Sequence, residues 1–167
     1  MTTPEKTLQS TFGHQRFRPG QQEIISALLA KKSVLAILPT GAGKSLCYQV
    51  PGVMMDGTTL IISPLISLMQ DQVASLLKRN IAAAYLSSTQ TDIQRQQVLY
   101  QLQQGRLKFL YVAPERLQSN SFQDTIKAVP ISFLVVDEAH CISTWGHQFR
   151  PSYRLISTFM KKLPQRV

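Results

Sequence analysis

The sequence predicts an α/β domain with a mainly parallel sheet that helices cover on both faces. Three observations support this fold class. Short apolar runs alternate with helical patterns along the chain, as in domains built from strand–helix–strand units. Each run is continuously apolar, which is typical of strands buried on both faces. The first run ends in a glycine-containing turn, and ligands of such sheets bind beyond the carboxyl ends of the strands.

The first third of the chain is expected to contain a lead-in, two helices and the first strand. Residues 1–12 are expected to be loose. Apolar residues at helical spacing predict a helix over 21–30. The apolar run 34–38 predicts the first strand. A helix over 44–50 follows, and Pro51-Gly52 is expected to end it, because both residue types interrupt helices.

The rest of the chain continues the alternation. A strand over 59–63 is expected to end at Pro64, which cannot donate to a sheet. Thr89 or Thr91 is expected to cap a helix that reaches about Gln104. The remaining predictions are helices over 67–78, over 122–128 and between Pro151 and Lys162, and strands over 81–86, 109–113 and 131–136.

Length and composition indicate one globular domain. The chain has 167 residues, of which 44% are hydrophobic and 16% charged, unlike a disordered segment. No apolar run approaches the ~18–20 residues of a membrane span. The N-terminus lacks the basic and apolar segments of a signal peptide. Two cysteines are too few for a disulfide scaffold. We therefore expect a cytoplasmic protein, associated with the nucleoid in a bacterium, or a nuclear protein in a eukaryote.

The charge balance favours a polyanionic partner. Eighteen Lys and Arg residues against nine Asp and Glu residues give a net charge of +9. Such an excess promotes nucleic-acid binding through counterion release. A basic protein without a nucleic-acid role is the alternative that charge alone leaves open.

The stretch 38–45 reads Leu-Pro-Thr-Gly-Ala-Gly-Lys-Ser and predicts a phosphate-binding loop. Its glycines permit backbone torsions denied to other residues. A helix that opens at Lys44 would direct N–H groups and its positive dipole end at an anion. Leu38 stands where the generic pattern has glycine, so the octapeptide alone is weakly specific. The predicted nucleotide-binding residues here are Thr40, Gly41, Ala42, Gly43, Lys44 and Ser45.

Two carboxylates, Asp137 and Glu138, leave the end of a buried apolar strand. Buried charge is costly unless it is paired or meets a metal. We expect Asp137 to hold Mg²⁺, together with the Ser45 hydroxyl. Glu138 is expected to polarise the water that attacks the γ-phosphate. Lys44, Asp137 and Glu138 are thus the predicted catalytic residues.

The phosphate loop and the Asp-Glu-Ala-His sequence together resemble superfamily 2 helicases, and four further segments resemble the RecQ family of DNA helicases. The last of these is the aromatic-rich loop that marks RecQ proteins, here called the aromatic loop. The four segments are 17–22 (motif 0), 63–72 (motif Ia), 111–117 (the Ib region) and 141–153 (the aromatic loop).

The resemblance implies roles for further residues around the nucleotide. Gln21 would read the adenine edge, and Arg18 would sit near the nucleotide. His14 stands where the family commonly has an aromatic residue that stacks on adenine. An exposed turn residue without such a role is the alternative for His14.

The aromatic loop carries the predicted DNA contacts, at Trp145, His147, Phe149 and Arg150. Aromatic faces stack on unpaired bases at ~1–3 kcal/mol per base. Because the loop directly follows the carboxylates, we interpret it as the element that couples DNA contact to ATP hydrolysis. Ordinary core aromatics are the alternative. A zinc site using His140, Cys141 and His147 is disfavoured, because the spacing fits no common zinc pattern.

The resemblance implies a three-layer RecA-like P-loop NTPase domain. Its function would be that of an ATP- and Mg²⁺-dependent 3′–5′ DNA helicase acting on single-stranded and forked DNA in repair and recombination. A non-catalytic module that binds nucleotide and single-stranded DNA is the alternative. A small P-loop kinase is disfavoured, because motif 0 and the aromatic loop would be unexplained.

The resemblance also implies that the fold is incomplete, with a lead-in at 1–12 and the N-terminal part of the first motor domain at 13–167. In the family, the motif III strand lies between the phosphate-loop strand and the Asp-Glu strand. A second motor domain is expected C-terminal to this chain.

We therefore expect the isolated 167 residues to be weakly stable, because two strands would lack a neighbour. Urea unfolding measures the stability of the isolated chain. A cooperative transition with a normal m-value would count against the expectation.

Overall fold

The computed structural model describes residues 2–143 and 149–163. It divides into two compact units, Met1–Asp56 and Gly57–Val167. The first unit is helical in its described residues, and the second contains a parallel sheet with helices.

The first unit begins with helical turns rather than a loose lead-in. Helix α1 spans Pro4–Thr7 and continues into a π-helical turn over Leu8–Phe12. Leu8 and Phe12 are buried, and α1 contacts a later helix of the unit, α3 (Lys44–Met54). The expectation of a loose lead-in was therefore wrong, because burial of these two apolar side chains helps to stabilise the ordered segment.

The two other helices of this unit lie close to their predicted positions. Helix α2 spans Gln21–Leu29 and contacts α3. Helix α3 begins at Lys44, as predicted, but passes through Pro51 and ends at Met54. Cys47 to Gly52 are all buried, so packing compensates for the hydrogen bond that proline removes.

The predicted strand over 34–38 is absent from the described structure. Residues 33–39 have no regular secondary structure, and Leu35 and Ile37 are 80% and 87% exposed. A strand needs a neighbour for its backbone hydrogen bonds, and no strand is described in the first unit. An apolar run in a sequence does not reveal whether that neighbour exists.

The second unit contains a four-stranded, wholly parallel sheet in the order β2-β3-β1-β4. The four predicted strands of this region are confirmed with shifts at their ends. The strands are β1 (Thr58–Ile62), β2 (Ala83–Leu86), β3 (Phe109–Val112) and β4 (Ile131–Val136). Strand β1 pairs on both sides and is buried throughout. Strand β4 pairs with β1 and is buried at Ile131 and Phe133 but half-buried at its other positions.

Helices alternate with these strands, as predicted. Thr91, rather than Thr89, caps one of them in a reciprocal capping box with Gln94. The helices are α4 (Ile66–Leu77), α5 (Asp92–Gln103), α6 (Asn120–Lys127) and α7 (Arg154–Lys162). Short 3₁₀ turns span Pro114–Gln118, Ala139–Ile142 and Pro151–Tyr153.

The main core of the second unit lies on one face of the sheet. Leu60 and Ile62 of β1 belong to an apolar cluster that includes residues of α5, α6 and α7. The alternate β1 residue, Ile61, points to the other face. Helix α4 contacts β2 and β3, and its buried residues are not members of the cluster. The sheet is therefore covered on both faces within this unit.

The close approach of Gly57 to Pro130 gives a test of the β1–β4 connection. Gly57 has φ +91°, and a Cβ there would lie 2.7 Å from the Pro130 carbonyl oxygen. Gly105 also has positive φ, but a Cβ there would meet no atom within 4 Å. We expect Gly105→Ala to cost about 1 kcal/mol of backbone strain and Gly57→Ala about 1–3 kcal/mol more through the clash. Urea unfolding of both variants measures the difference, and equal losses would contradict it.

Candidate functional site

The phosphate loop of the first unit has the backbone that anion binding requires. Gly41 and Gly43 both have φ +79°, in the left-handed region that favours glycine. Gly43 is the N-cap of α3, and no side chain caps this helix start in the described structure. Helix N-termini of this kind bind phosphates. Lys44 is exposed and Ser45 is half-buried.

The side chain of Gln21 braces this loop. Its amide nitrogen donates to the carbonyl oxygens of Ala42 (3.1 Å) and Gly43 (2.9 Å), and its amide oxygen accepts from the Arg18 backbone N–H at 2.8 Å. Gln21 is 1% exposed. The described geometry therefore gives Gln21 a structural task, and adenine recognition by this residue stays a prediction.

Two other residues from the start of the chain border the loop region. The Arg18 guanidinium donates to the Gly41 carbonyl oxygen, so this cation lies at the loop. Leu38 lies beside the turn at Gly20, where a Cβ would be 3.4 Å from Leu38 Cδ2. His14 is exposed, and its stacking role stays a prediction. Thr40 is exposed as well.

The carboxylate pair of the second unit sits directly after β4. The Asp137 N–H donates to the Ile62 carbonyl oxygen at 2.9 Å, which continues the β1–β4 ladder by one bond. The Asp137 carboxylate accepts from the Glu138 N–H at 3.0 Å. Glu138 adopts φ 51° and ψ 45°, which costs a non-glycine residue about 1–3 kcal/mol. Strain of this kind is concentrated at functional sites.

Glu138 has a basic neighbour, His140. His140 Nδ1 lies 3.3 Å from Glu138 Oε2. Cys141 is buried, and burial raises the pKa of its thiol. The part of the chain that the structure describes contains no group of three or more His, Cys, Asp and Glu residues that could hold a metal ion. His147, the third residue of the disfavoured zinc alternative, lies outside the described residues.

Hydrogen bonds close the base of the aromatic loop. The Cys141 N–H donates to the Glu138 carbonyl oxygen at 2.9 Å, and the Arg150 N–H donates to the Cys141 carbonyl oxygen at 3.0 Å. The two described residues with predicted DNA contacts, Phe149 and Arg150, are thereby held beside the carboxylates. Trp145 and His147, the two others, lie outside the described residues.

Arg154 joins this group although the sequence did not single it out. Its guanidinium carbon lies 5.2 Å from the centroid of the Phe149 ring, within cation–π range. Arg154 is the first residue of α7, where the helix dipole disfavours a positive charge. An arginine at that position was the signal that could have indicated a functional role.

A cavity of about 630 Å³ in the second unit borders the end of β1, the carboxylate turn and the aromatic loop. Its lining combines two residues that follow β1 with residues of the carboxylate turn and the aromatic loop. The lining residues are Pro64, Leu65, Glu138, Cys141, Phe149 and Arg150. The cavity therefore brings Glu138, Phe149 and Arg150 together, and it adds Pro64 and Leu65 to the predicted residues.

Ser63, which precedes Pro64, was also missed. Its hydroxyl oxygen is the one buried side-chain polar atom without a hydrogen-bond partner among the described residues. Because buried polar groups are normally paired, this hydroxyl is available to a water or a ligand at the carboxyl end of β1. Its position at the end of a central parallel strand was the signal in the sequence.

The sequence was compared with models of known protein families, and one family matches most of the chain. The profile of the DEAD/DEAH box helicases matches residues 18–167, which include the phosphate loop, the carboxylate pair and the aromatic loop. The chain belongs to this helicase family. Its resemblance to RecQ proteins is confirmed by a relative of that name, and a second DNA helicase is similar to the same degree.

The first relative is the ATP-dependent DNA helicase RecQ of Pasteurella multocida, 54% identical over 146 residues. The match covers 87% of this chain and 23% of the relative. The second is the probable ATP-dependent DNA helicase RecS of Bacillus subtilis, 52% identical over 164 residues, which are 98% of this chain and 33% of the relative. The chain thus spans a third or less of the length of these two helicases.

A solved structure supports the fold class. The DUF1998 helicase MrfA, crystallised with DNA and AMPPNP, superimposes with a TM-score of 0.66 at 20% identity. The match covers 82% of this chain and 21% of that protein. Together with the parallel sheet and its flanking helices, this similarity confirms a RecA-like α/β fold for this DEAD/DEAH box helicase chain.

The Gln21 brace predicts how nucleotide affinity responds to substitution. Gln21→Met keeps the size of the side chain but removes the amide donor to the Ala42 and Gly43 carbonyls and the acceptor of the Arg18 N–H, at about 1–3 kcal/mol. We expect roughly tenfold weaker binding of both ATP and inorganic triphosphate, because the loop that is predicted to hold phosphates is loosened. Calorimetric titration of the two ligands measures this.

Inorganic triphosphate is the internal control, because it has no base. A loss of affinity confined to ATP would contradict the bracing role and favour adenine recognition by Gln21. Gln22→Met is the matched variant, since Gln22 is exposed and its amide contacts Glu5 rather than the loop.

Proposed function

We propose that this chain belongs to the motor of a RecQ-type ATP-dependent DNA helicase, which couples ATP hydrolysis to translocation on single-stranded DNA and to duplex unwinding. The observation that carries the proposal is the shared cavity in the second unit. Its lining joins Glu138, the proposed hydrolytic base, to Phe149 and Arg150, the proposed DNA contacts. A DNA contact and a hydrolytic group thus border the same space.

The phosphate loop would bind ATP in the first unit. The left-handed glycines keep Cβ atoms away from the phosphates, and the open start of α3 presents N–H donors to them. Lys44 would supply a positive charge at the terminal phosphates. The relatives' names describe them as ATP-dependent, which supports ATP as the nucleotide.

Mg²⁺ would complete the ATP chemistry, and oxygen ligands suit this ion. We propose Ser45 and Asp137 as the residues that hold it. When bound, the ion neutralises charge that develops on the phosphates. The Asp137 carboxylate oxygen is already oriented by the Glu138 N–H, which supports a fixed ligand position.

Glu138 would act as the general base. Its backbone is held by the bond from the Cys141 N–H and lies in the left-handed region, which sets the point at which its side chain leaves the turn. His140 lies within reach of that carboxylate and would orient it. The proposed step is acceptance of a proton from the attacking water by the carboxylate oxygen.

DNA would bind along the described part of the aromatic loop. The Phe149 ring offers a stacking face, and Arg150 and Arg154 offer phosphate contacts. The net charge of +9 supports a polyanionic partner. DNA is also the ligand named for the helicase of similar fold. We propose single-stranded and forked DNA as substrates, 3′–5′ movement, and a role in repair and recombination.

The edge of the sheet supports further domains beyond these residues. Strand β4 is apolar, and in the described structure it pairs with β1 alone. Unpaired apolar edges are normally covered in native proteins. We propose that a strand and a second motor domain follow this chain.

We also propose a cytoplasmic, nucleoid-associated location in a bacterium or a nuclear one in a eukaryote. No helix of the described residues has the length and apolarity to cross a membrane.

DNA-stimulated ATP hydrolysis tests the proposed function. In the complete gene product, we expect single-stranded DNA to accelerate ATP hydrolysis. We expect Lys44→Ala to reduce the stimulated rate by roughly 10²-fold or more, because a positioned positive charge at the phosphates is lost. Lys32→Ala, an exposed lysine of the same unit, is the control and should retain the wild-type rate.

Two outcomes would contradict the proposal. Binding of nucleotide and single-stranded DNA without turnover would indicate a non-catalytic module instead. Equal hydrolysis by wild type and Lys44→Ala would show that the activity comes from a contaminant. Duplexes with a 3′ or a 5′ single-stranded tail then test polarity, and we expect unwinding with the 3′ tail.

A further inference from the structure

A buried tyrosine hydroxyl contacts the backbone of the carboxylate turn. The Tyr153 hydroxyl donates to the Asp137 carbonyl oxygen at 2.7 Å. The Tyr153 side chain is 2% exposed and belongs to the apolar cluster with Ile156 and Phe159 of α7. The ring is thus packed in the core, and its hydroxyl reaches the first residue of the pair.

The backbone of the same tyrosine is also hydrogen-bonded to Arg150 of the aromatic loop. Its backbone N–H donates to the Arg150 carbonyl oxygen at 3.0 Å. The Arg150 N–H in turn reaches Cys141, whose N–H reaches Glu138. These bonds form a closed circuit that leaves the carboxylates through Glu138 and returns to them through the Tyr153 hydroxyl.

The hydroxyl serves as a hydrogen-bond donor to the Asp137 carbonyl oxygen. Burial raises its pKa. A phenylalanine would fill the same apolar space, so packing alone does not account for the hydroxyl. The bond acts on the peptide unit between Asp137 and Glu138, the residue held in the left-handed conformation.

We propose that Tyr153 is a positioning residue that transmits DNA contact at Phe149 and Arg150 to the hydrolytic carboxylates. A shift of the Arg150 backbone on DNA binding moves Tyr153 through its N–H, and the hydroxyl passes that shift to the Asp137–Glu138 peptide. Tyr153 itself touches neither DNA nor nucleotide. The inference rests on the proposed function, since it requires DNA-stimulated hydrolysis.

The test uses the complete gene product with Tyr153→Phe, which removes the hydroxyl and keeps the ring. Ile156→Val is the matched control, because it trims the same apolar cluster without touching the circuit. Hydrolysis is measured with and without saturating single-stranded DNA, together with KM for ATP, Kd for DNA and the melting temperature. All assays run where melting curves show both variants folded.

We expect Tyr153→Phe to lower the stimulation factor about fivefold, as for the loss of one buried hydrogen bond. KM for ATP and Kd for DNA should stay close to wild type, and Ile156→Val should keep full stimulation. A purely structural role would lower the melting temperature of both variants and leave the stimulation factor unchanged. That result, or an equal fall of the rates with and without DNA, would overturn the inference.

A donor-restoring variant keeps the inference testable if Tyr153→Phe does not fold. Incorporation of 4-aminophenylalanine at position 153 retains the ring and supplies an N–H donor. We expect a stimulation factor between those of wild type and a protein without coupling, because this donor is weaker. A stimulation factor as low as that of a protein without coupling would overturn the inference, because this variant keeps a donor to the Asp137 carbonyl oxygen. An unstimulated wild-type protein would instead defeat the proposed function, so the two failures are distinguishable.

Discussion

The pairing of β4 with the buried strand β1 is the interaction on which the second unit depends. Ile62 lies opposite Val136 at the end of the ladder, and the Asp137 N–H adds one more bond to Ile62. The carboxylate pair therefore emerges at the carboxyl end of a strand whose neighbour is buried on both faces. Ser63 and Pro64 leave β1 at the same edge, so the cavity forms where two parallel strands end.

The phosphate loop depends on a different contact, the amide of Gln21. Glycine permits the backbone torsions of the loop. It also makes the loop costly to order, because glycine loses more conformational entropy on folding than other residues. Three hydrogen bonds from one buried amide to the loop and to motif 0 reduce that freedom. Motif 0 thus supports the loop before any contact with a base is considered. The two motifs belong together structurally as well as in family sequences.

Most elements could be predicted from local patterns, and the failures share one cause. The continuous apolar runs that became β1 to β4 were recognised because a buried parallel strand has few polar positions. The equally apolar run 34–38 forms no strand in the described structure, because a strand is made by its neighbour rather than by its own composition. The prediction ended helix α3 near Pro51, but the helix continues to Met54. A proline in the sequence does not reveal that the residues around it are buried, and this burial keeps the helix intact.

The sequence by itself determined the chemistry that is available here: left-handed glycines before Lys44, two carboxylates after an apolar strand, and aromatic and basic residues close behind. These features are read from neighbours in the chain, so local rules suffice for them. The tertiary structure alone decided that Gln21 braces the loop, that Arg154 covers Phe149 and that Tyr153 holds Asp137. Each of these contacts depends on how the backbone turns between its partners, and several join residues far apart in sequence. Their partners are therefore chosen by folding and not by spacing.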